Sequence, residues 1–202
     1  MSRRAQTDSG ETKRDLVASA TEEFAEHGYE GASLRQICSK AGVTTGALYF
    51  FFDSKEDLFK SVVSPLMSEL PNVLAAWIEH DLSVICDCPG EPTDVEGLLD
   101  GLVELLERHP LVPKIVLSNR DHPVVKEYLD ARVAEIAASI ASRADRKDGP
   151  ASDGFSPRLL ATMCANALIE VLANDDDPDV IARHLAEVSA FVRGGLEATL
   201  GK

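Results

Sequence analysis

The segment from Ser33 to Leu58, SLRQICSKAGVTTGALYFFFDSKEDL, constrains the fold of this 202-residue chain more than any other segment. Ser33 followed by Gln36 has the spacing of a capping box, which predicts a helix that starts at Ser33. Gly42 can adopt the left-handed conformation that ends a helix and begins a tight turn. Thr44 can cap a second short helix. The pattern therefore predicts a helix, a turn and a second helix.

A further helix is predicted directly after this pair. Asp53 and Glu56 repeat the capping-box spacing, so a helix should open at Ser54 or Lys55. Two short helices joined by a glycine-containing turn are typical of a DNA-binding helix-turn-helix, whose second helix enters the major groove. The alternative is an ordinary helical hairpin in which the threonines serve only as caps.

The longer segment TKRDLVASATEEFAEHGYEGASLRQICSKAGVTTGALYFFFDSKEDLF closely resembles the N-terminal domain of TetR-family transcriptional repressors. It spans roughly a quarter of the chain. The sequence departs from the family pattern at Cys38, where alanine is usual, and at Phe51, where a polar residue or histidine is usual. The second departure removes one potential phosphate contact. The resemblance implies DNA contacts at Ser33, Arg35, Thr44, Thr45, Gly46, Ala47, Tyr49 and Lys55.

The charge of the chain is unusual for a DNA-binding protein. The net charge is −14, and residues 1–60 carry 8 basic and 10 acidic side chains. General attraction to DNA should therefore be weak, so that binding relies on a few placed phosphate contacts. Residues 1–10 include Arg3 and Arg4 and are predicted to be a flexible arm ahead of a helix over 11–27. That arm could reach a minor groove or could be a solvated tail.

The rest of the chain reads as helical throughout. We expect an all-α fold with a three-helix helix-turn-helix domain over 1–53 and a C-terminal helical bundle for ligand binding and dimerisation over 54–202. Helix four should run from Ser54 towards Asp81, with a kink or break at Pro65 and Pro71. Later helices are predicted over 94–108, 111–119, 123–144, 159–173 and 178–200.

The last two predicted helices bear on oligomeric state. Residues 159–173 have few polar side chains, and the final helix carries an apolar stripe at helical spacing. These helices could bury their apolar faces within one subunit, or they could pair with a symmetry mate. The TetR resemblance implies the second arrangement, a homodimer. The predicted interface residues are Leu168, Leu172, Leu185, Val188, Phe191 and Val192.

The resemblance also implies a ligand pocket enclosed by helices four to eight, whose occupant changes the spacing of the two DNA-binding heads. Helix four would link the pocket to DNA, with its proline region as a lever. Apolar residues at this spacing are equally typical of plain bundle core. The candidate pocket residues are Met67, Leu70, Leu74, Trp77, Ile78, Met163 and Asn166.

Several other classes of function lack support in the sequence. No phosphate loop, nucleophile elbow or zinc-protease motif is present, so we predict no enzymatic activity and no cofactor. Cys86 and Cys88 form a C-x-C pair near His80, but the spacing alone is weak evidence for metal, and we predict no metal site. No run of 18 apolar residues or secretion signal occurs, which favours a cytoplasmic protein without membrane contact.

We therefore predict a homodimeric, sequence-specific DNA-binding transcriptional regulator. Its partners would be a palindromic double-stranded operator, a second copy of itself and an unidentified small-molecule effector. The expected mode is repression, relieved when the effector binds the C-terminal domain. The alternative is a helical ligand-binding or interaction protein without DNA-binding activity.

Overall fold

The computed structural model describes residues 3–87, 95–144, 156–175 and 177–200, and all regular structure in these ranges is α-helical. The expected all-α fold is confirmed. The helices are α1 (Arg3–Gly31), α2 (Leu34–Lys40), α3 (Thr45–Phe51), α4 (Lys55–Asp87), α5 (Val95–Arg108), α6 (Val112–Ser118), α7 (Pro123–Ala144), α8 (Pro157–Asn174) and α9 (Pro178–Leu200).

Two helices differ from the sequence-based prediction. Helix α1 begins at Arg3, ahead of the predicted start near residue 11, and the flexible arm over residues 1–10 stays a prediction. Gly10 costs roughly 1 kcal/mol in a helix interior, and its carbonyl accepts a hydrogen bond from Arg14 Nε. Helix α4 continues through both Pro65 and Pro71, so the predicted break there does not occur.

The described chain forms two compact units. The first comprises residues 1–67 and 109–125, and the second comprises residues 68–108 and 126–202. The first unit thus contains α1 to α3, the first turns of α4, and α6. The division falls between Met67 and Ser68, within the stretch bounded by the two prolines of α4. The functional boundary between residues 53 and 54 stays a prediction.

The core of the first unit is built around aromatic residues. Phe24 and Phe59 meet edge to face with ring centroids 5.2 Å apart, an arrangement that aromatic quadrupoles favour. Leu16, Ile37 and Leu48 are fully buried, which fixes one face each of α1, α2 and α3. Burial of such side chains contributes roughly 2 kcal/mol apiece, and it holds the short helices α2 and α3 in place.

The second unit has two apolar clusters. In the larger one, residues of α5, α8 and α9 meet at Leu102, Leu106, Leu168, Ile181 and Leu185. In the smaller one, Ile140 of α7 and Ala161 of α8 are buried, with Val192 of α9 packed against them. Because the first turns of α8 share a cluster with the later part of α9, these two consecutive helices run antiparallel.

Candidate nucleic-acid interface

The start of α2 is fixed by two acceptors. Ser33 Oγ accepts a hydrogen bond from the Gln36 backbone N–H at 3.4 Å, as the capping spacing predicts. The Ser33 N–H itself donates to Glu23 Oε1 of α1 at 3.1 Å. Glu23 is only 3 % exposed, although Glu22 and Glu26 beside it on α1 are exposed. A buried carboxylate thus performs the reciprocal half of the capping box, which the sequence pattern assigned to Gln36.

The turn between α2 and α3 is closed by backbone hydrogen bonds. Gly42 has φ 67°, the left-handed conformation that its position predicted. The Val43 N–H donates to the Cys38 carbonyl at 2.9 Å, and the Gly42 N–H donates to the Ser39 carbonyl at 3.3 Å. These two bonds are the Schellman pattern that ends a helix. The turn therefore needs no support from outside the motif.

Helix α3 is anchored by one face and exposed on the other. Thr44 Oγ1 accepts from the Ala47 N–H at 3.2 Å, which confirms the predicted cap. Leu48 is fully buried and Phe52 is 2 % exposed, so both face the core. The opposite face is accessible and is formed by Thr44, Thr45, Gly46, Tyr49 and Phe50, while Ala47 is half-buried. Its threonine and tyrosine hydroxyls are groups that can contact base edges and phosphates in a major groove.

Phe50 was not among the predicted contacts, yet it is the most exposed large apolar residue described. Its side chain is 79 % exposed, against 53 % for Tyr49. Gly46 lies one turn earlier, and a Cβ built there would meet only Thr44 Oγ1, at 3.8 Å, so the helix surface at Gly46 is open. Phe51 contacts Phe50 edge to face at 5.0 Å between ring centroids. An aromatic residue so exposed on this face was detectable only once the register of α3 was known.

The start of α4 differs from the predicted capping box by one residue. Ser54 Oγ accepts from the Asp57 N–H at 3.1 Å, and Asp57 Oδ2 accepts from the Asp53 N–H at 3.1 Å. The cap is therefore Ser54 with Asp57, not Asp53 with Glu56. Glu56 instead pairs with Lys60, with 2.6 Å between Oε1 and Nζ, and the hydrogen bond from Lys60 lowers the pKa of Glu56.

Lys55 lies beside the end of α1. Its Nζ donates to the Glu30 carbonyl at 3.3 Å and sits 5.0 Å from the centroid of the Tyr29 ring. The cation is half-buried, and one of its donors is used within the unit. The remaining donors leave a phosphate contact feasible. The predicted contacts Ser33 and Arg35 lie at the start of α2, where Ser33 is half-buried and Arg35 is exposed.

The segment after α6 supports the same end of α1. Asn119 Oδ1 accepts from the Tyr29 N–H at 3.0 Å, beside Gly28, whose φ of 67° bends the chain there. The His122 ring lies 4.2 Å from the Tyr29 ring. Burial raises the pKa of Tyr29, and the nearby Glu56 and Glu30 carboxylates add to this. The sequence contained no signal for these long-range contacts.

The predicted pocket residues lie in different surroundings. Met67 is half-buried in the first unit, and Leu70 packs against the larger cluster of the second. Met163 is 50 % exposed, and Asn166 is also exposed on α8, so neither is enclosed within the single chain. Leu74, Trp77 and Ile78 lie on α4, but their side chains are outside the described residues, as are those of Cys86 and Cys88.

The predicted interface residues divide into two groups. Leu168 and Leu185 are 9 % and 0 % exposed inside the larger cluster, and Leu172 packs against it. Leu168 and Leu185 are thus covered within the subunit, while Leu172 is half-buried, and the assignment of the six residues to an interface stays a prediction. Val188 and Val192 are half-buried, and Phe191 is 76 % exposed.

The described residues contain no group of three or more His, Cys, Asp or Glu side chains that could hold a metal ion. Among the described helices, none is long and apolar enough to cross a membrane.

Comparison with known proteins agrees with the geometry of α1 to α4. The sequence profile of the family described as "Bacterial regulatory proteins, tetR family" matches residues 16–62. Together with the relatives below, this match supports a TetR-family regulator. The chain is accordingly a DNA-binding transcriptional regulator, as the helix-turn-helix predicted.

Two proteins of Escherichia coli (strain K12) are similar in sequence to this chain. The HTH-type transcriptional regulator UidR of Escherichia coli (strain K12) is 26% identical over 205 residues, which cover 97% of this chain and 94% of UidR. The probable acrEF/envCD operon repressor of the same strain is 34% identical over 84 residues, covering 40% of this chain and 38% of that protein.

Solved structures show the same fold. The fatty acid degradation regulator FadR from Bacillus halodurans has a TM-score of 0.62 at 22% sequence identity, with 92% of this chain and 96% of that chain covered. At this identity the likeness concerns the fold alone. The TetR family is a family of transcriptional regulators and not of enzymes.

Proposed function

We propose that this TetR-family protein is a cytoplasmic homodimeric repressor that binds a palindromic operator and leaves it when a small molecule binds the second compact unit. The observation that carries the proposal is the accessible face of α3. Its small leading residues Thr45 and Gly46 and the exposed Tyr49 stand opposite a buried Leu48. A helix so anchored can present one face to base edges while its other face holds the domain together.

The proposed contacts are of two kinds. Thr44, Thr45, Gly46 and Ala47 lie at the start of α3, where a helix can approach bases closely. Ser33, Arg35, Tyr49 and Lys55 supply hydroxyl groups and cations for phosphates. We add Phe50 to this set, because its exposed ring can contact deoxyribose or a thymine methyl group.

The charge distribution supports a small number of placed contacts. Lys40 Nζ lies 3.5 Å from Glu23 Oε2 and 3.8 Å from Glu22 Oε2, so acids within the unit offset its charge. Lys60 is similarly paired with Glu56. With a net charge of −14 for the chain, the salt dependence of binding should reflect few released counterions per subunit.

An exposed apolar surface on α8 and α9 supports homodimerisation. Leu159 is 62 % exposed, Met163 is 50 % exposed and Phe191 is 76 % exposed. Because α8 and α9 run antiparallel, Leu159 and Met163 lie at the same end of the helix pair as Phe191. A second copy related by a two-fold axis could cover this surface and place two α3 helices on the two half-sites of a palindrome.

An electrophoretic mobility shift with the DNA that flanks the coding region tests the proposal. The wild-type protein should shift a palindromic fragment at low salt, and Tyr49→Phe should weaken the shift by removing one phosphate donor without changing the fold. A folded wild-type protein that shifts no flanking fragment at low or moderate salt would contradict repression at its own locus.

A further inference from the structure

Two polar side chains on α7 lie in contact one turn apart. Tyr128 and Arg132 are spaced four residues apart, so they share one face of the helix. The guanidinium carbon of Arg132 lies 5.5 Å from the centroid of the Tyr128 ring. Both residues belong to the second compact unit, where we propose that the effector binds.

Each residue buries a donor that no other described residue satisfies. The Tyr128 hydroxyl oxygen and Arg132 Nε are buried and have no hydrogen-bond partner among the described residues. A buried polar group without a partner costs roughly 1–3 kcal/mol, so such groups are rare in folded proteins and call for an explanation. Two such donors on neighbouring turns of one helix face indicate that a bound molecule accepts their hydrogen bonds.

The chemical state of the two groups defines what they can bind. Burial raises the pKa of Tyr128 to about 12, so the phenol keeps its proton at neutral pH and can donate. The Arg132 guanidinium stays charged in proteins. Its Nη2 donates to Glu135 Oε1, where Glu135 is 60 % exposed, while Nε is buried. The pair therefore offers two buried donors, one of them charged.

The same helix face continues with an apolar side chain. Ile136 is four residues beyond Arg132 and packs against the smaller cluster of Ile140 and Ala161. A molecule that accepts hydrogen bonds from Tyr128 and Arg132 would thus place its other atoms against the apolar side chain of Ile136.

We infer that Tyr128 and Arg132 form the polar end of the effector site, and that the effector is a small organic carboxylate with an apolar body. The inference rests on the proposal that the second unit binds an effector. A carboxylate offers two acceptor oxygens and a charge opposite to that of Arg132, and charge-assisted hydrogen bonds of this kind are the stronger ones. The apolar body accounts for Ile136 on the same face.

Thermal unfolding of the full-length protein with defined probes tests the inference. Hexanoate, octanoate and phenylacetate are compared with hexan-1-ol, octan-1-ol and 2-phenylethanol, which keep the apolar body and lack the carboxylate. At least one carboxylate should raise the Tm of the wild-type protein in a saturable manner, while its matched alcohol should not. A wild-type Tm unaffected by all three carboxylates would overturn the inference.

Two variants test the residues. Tyr128→Phe should leave the Tm of the free protein unchanged or higher, because it removes an unsatisfied buried hydroxyl, but it should weaken carboxylate binding about tenfold. Arg132→Gln should weaken binding further, whereas Arg120→Gln removes the same charge at an exposed position and should have no effect. Equal carboxylate stabilisation in wild type, Tyr128→Phe and Arg132→Gln would also overturn the assignment.

These measurements contain no DNA, so they succeed or fail independently of operator binding. A mobility shift with the stabilising carboxylate then separates the two proposals. Release of DNA from the wild-type protein but not from Tyr128→Phe supports both, and a saturable carboxylate site with no DNA binding at all supports the site and contradicts the repressor.

Discussion

Glu23 Oε1 accepts a hydrogen bond from the Ser33 backbone N–H at 3.1 Å, across the junction between α1 and α2. The other oxygen of the same carboxylate lies 3.5 Å from Lys40 Nζ, at the opposite end of α2. One buried side chain of α1 thus holds both ends of the seven-residue helix that precedes the recognition helix. A helix this short is not stable alone, so its position depends on such ties.

Replacing Glu23 with alanine should destabilise the first unit by roughly 1–3 kcal/mol, because the half-buried Ser33 N–H loses its acceptor. Glu23→Gln keeps an acceptor oxygen and should lose less. Glu26→Ala is the matched control, since the Glu26 side chain is 67 % exposed on the same helix. Chemical denaturation measures the three variants, and equal stability for Glu23→Ala and Glu26→Ala would contradict the role of Glu23.

Lys55→Ala should weaken DNA binding and reduce the slope of log K against log salt by about 1, as the loss of one phosphate contact requires. Stability should change little, since the cation–π contact with Tyr29 contributes roughly 0.5–1 kcal/mol. Lys126→Ala removes the same charge from an exposed position on α7. If both variants alter binding equally, Lys55 acts through bulk charge and not through a contact.

Phe50→Ala should weaken DNA binding roughly tenfold while leaving the salt slope unchanged, because an apolar contact releases no counterion. The Tm should stay the same, since the ring is 79 % exposed. Phe50→Leu, which keeps apolar surface, should recover part of the affinity. Unchanged DNA affinity in Phe50→Ala would show that the ring does not reach the duplex.

Phe191→Glu should convert the proposed homodimer to a monomer, because a two-fold axis would bury two carboxylates without partners. Sedimentation velocity gives the oligomeric state, and the mobility shift should weaken in parallel because only one half-site is then engaged. Arg183→Glu reverses a charge at an exposed position of the same helix and should leave the dimer intact. A dimeric Phe191→Glu would place the interface elsewhere.

The buried phenol of Tyr128 makes stability depend on alkaline pH. Its pKa is raised to about 12 in the folded protein, so the unfolded state, with an ordinary tyrosine pKa near 10, ionises first. The contribution of this group is therefore present below about pH 10 and is lost as the pH rises towards about 12. Unfolding curves across this range should fall more steeply for wild type than for Tyr128→Phe, and parallel curves would show that the phenol ionises normally.

The sequence by itself determined the helix caps and the turn of the DNA-binding part. Thr44 caps α3 and Gly42 takes a positive φ because those roles depend on residue chemistry within three or four positions. Asp53 and Ser54 could each cap α4, and the local pattern predicted Asp53, one residue before the observed cap at Ser54. Helix positions in the second unit followed from apolar spacing and proline, as in the last helix, which was predicted over 178–200 and spans Pro178–Leu200.

Only the tertiary structure decided which side chains turn inward. Glu23 is buried because α2 closes over it, and Leu168 and Leu185 are used within the subunit because α5 packs on α9. The tertiary structure likewise decided that Phe50 is exposed and that the buried donors of Tyr128 and Arg132 have no partner among the described residues. An apolar or charged residue has no fixed environment until distant segments meet, and so its partners follow from the packed fold and not from its neighbours in the chain.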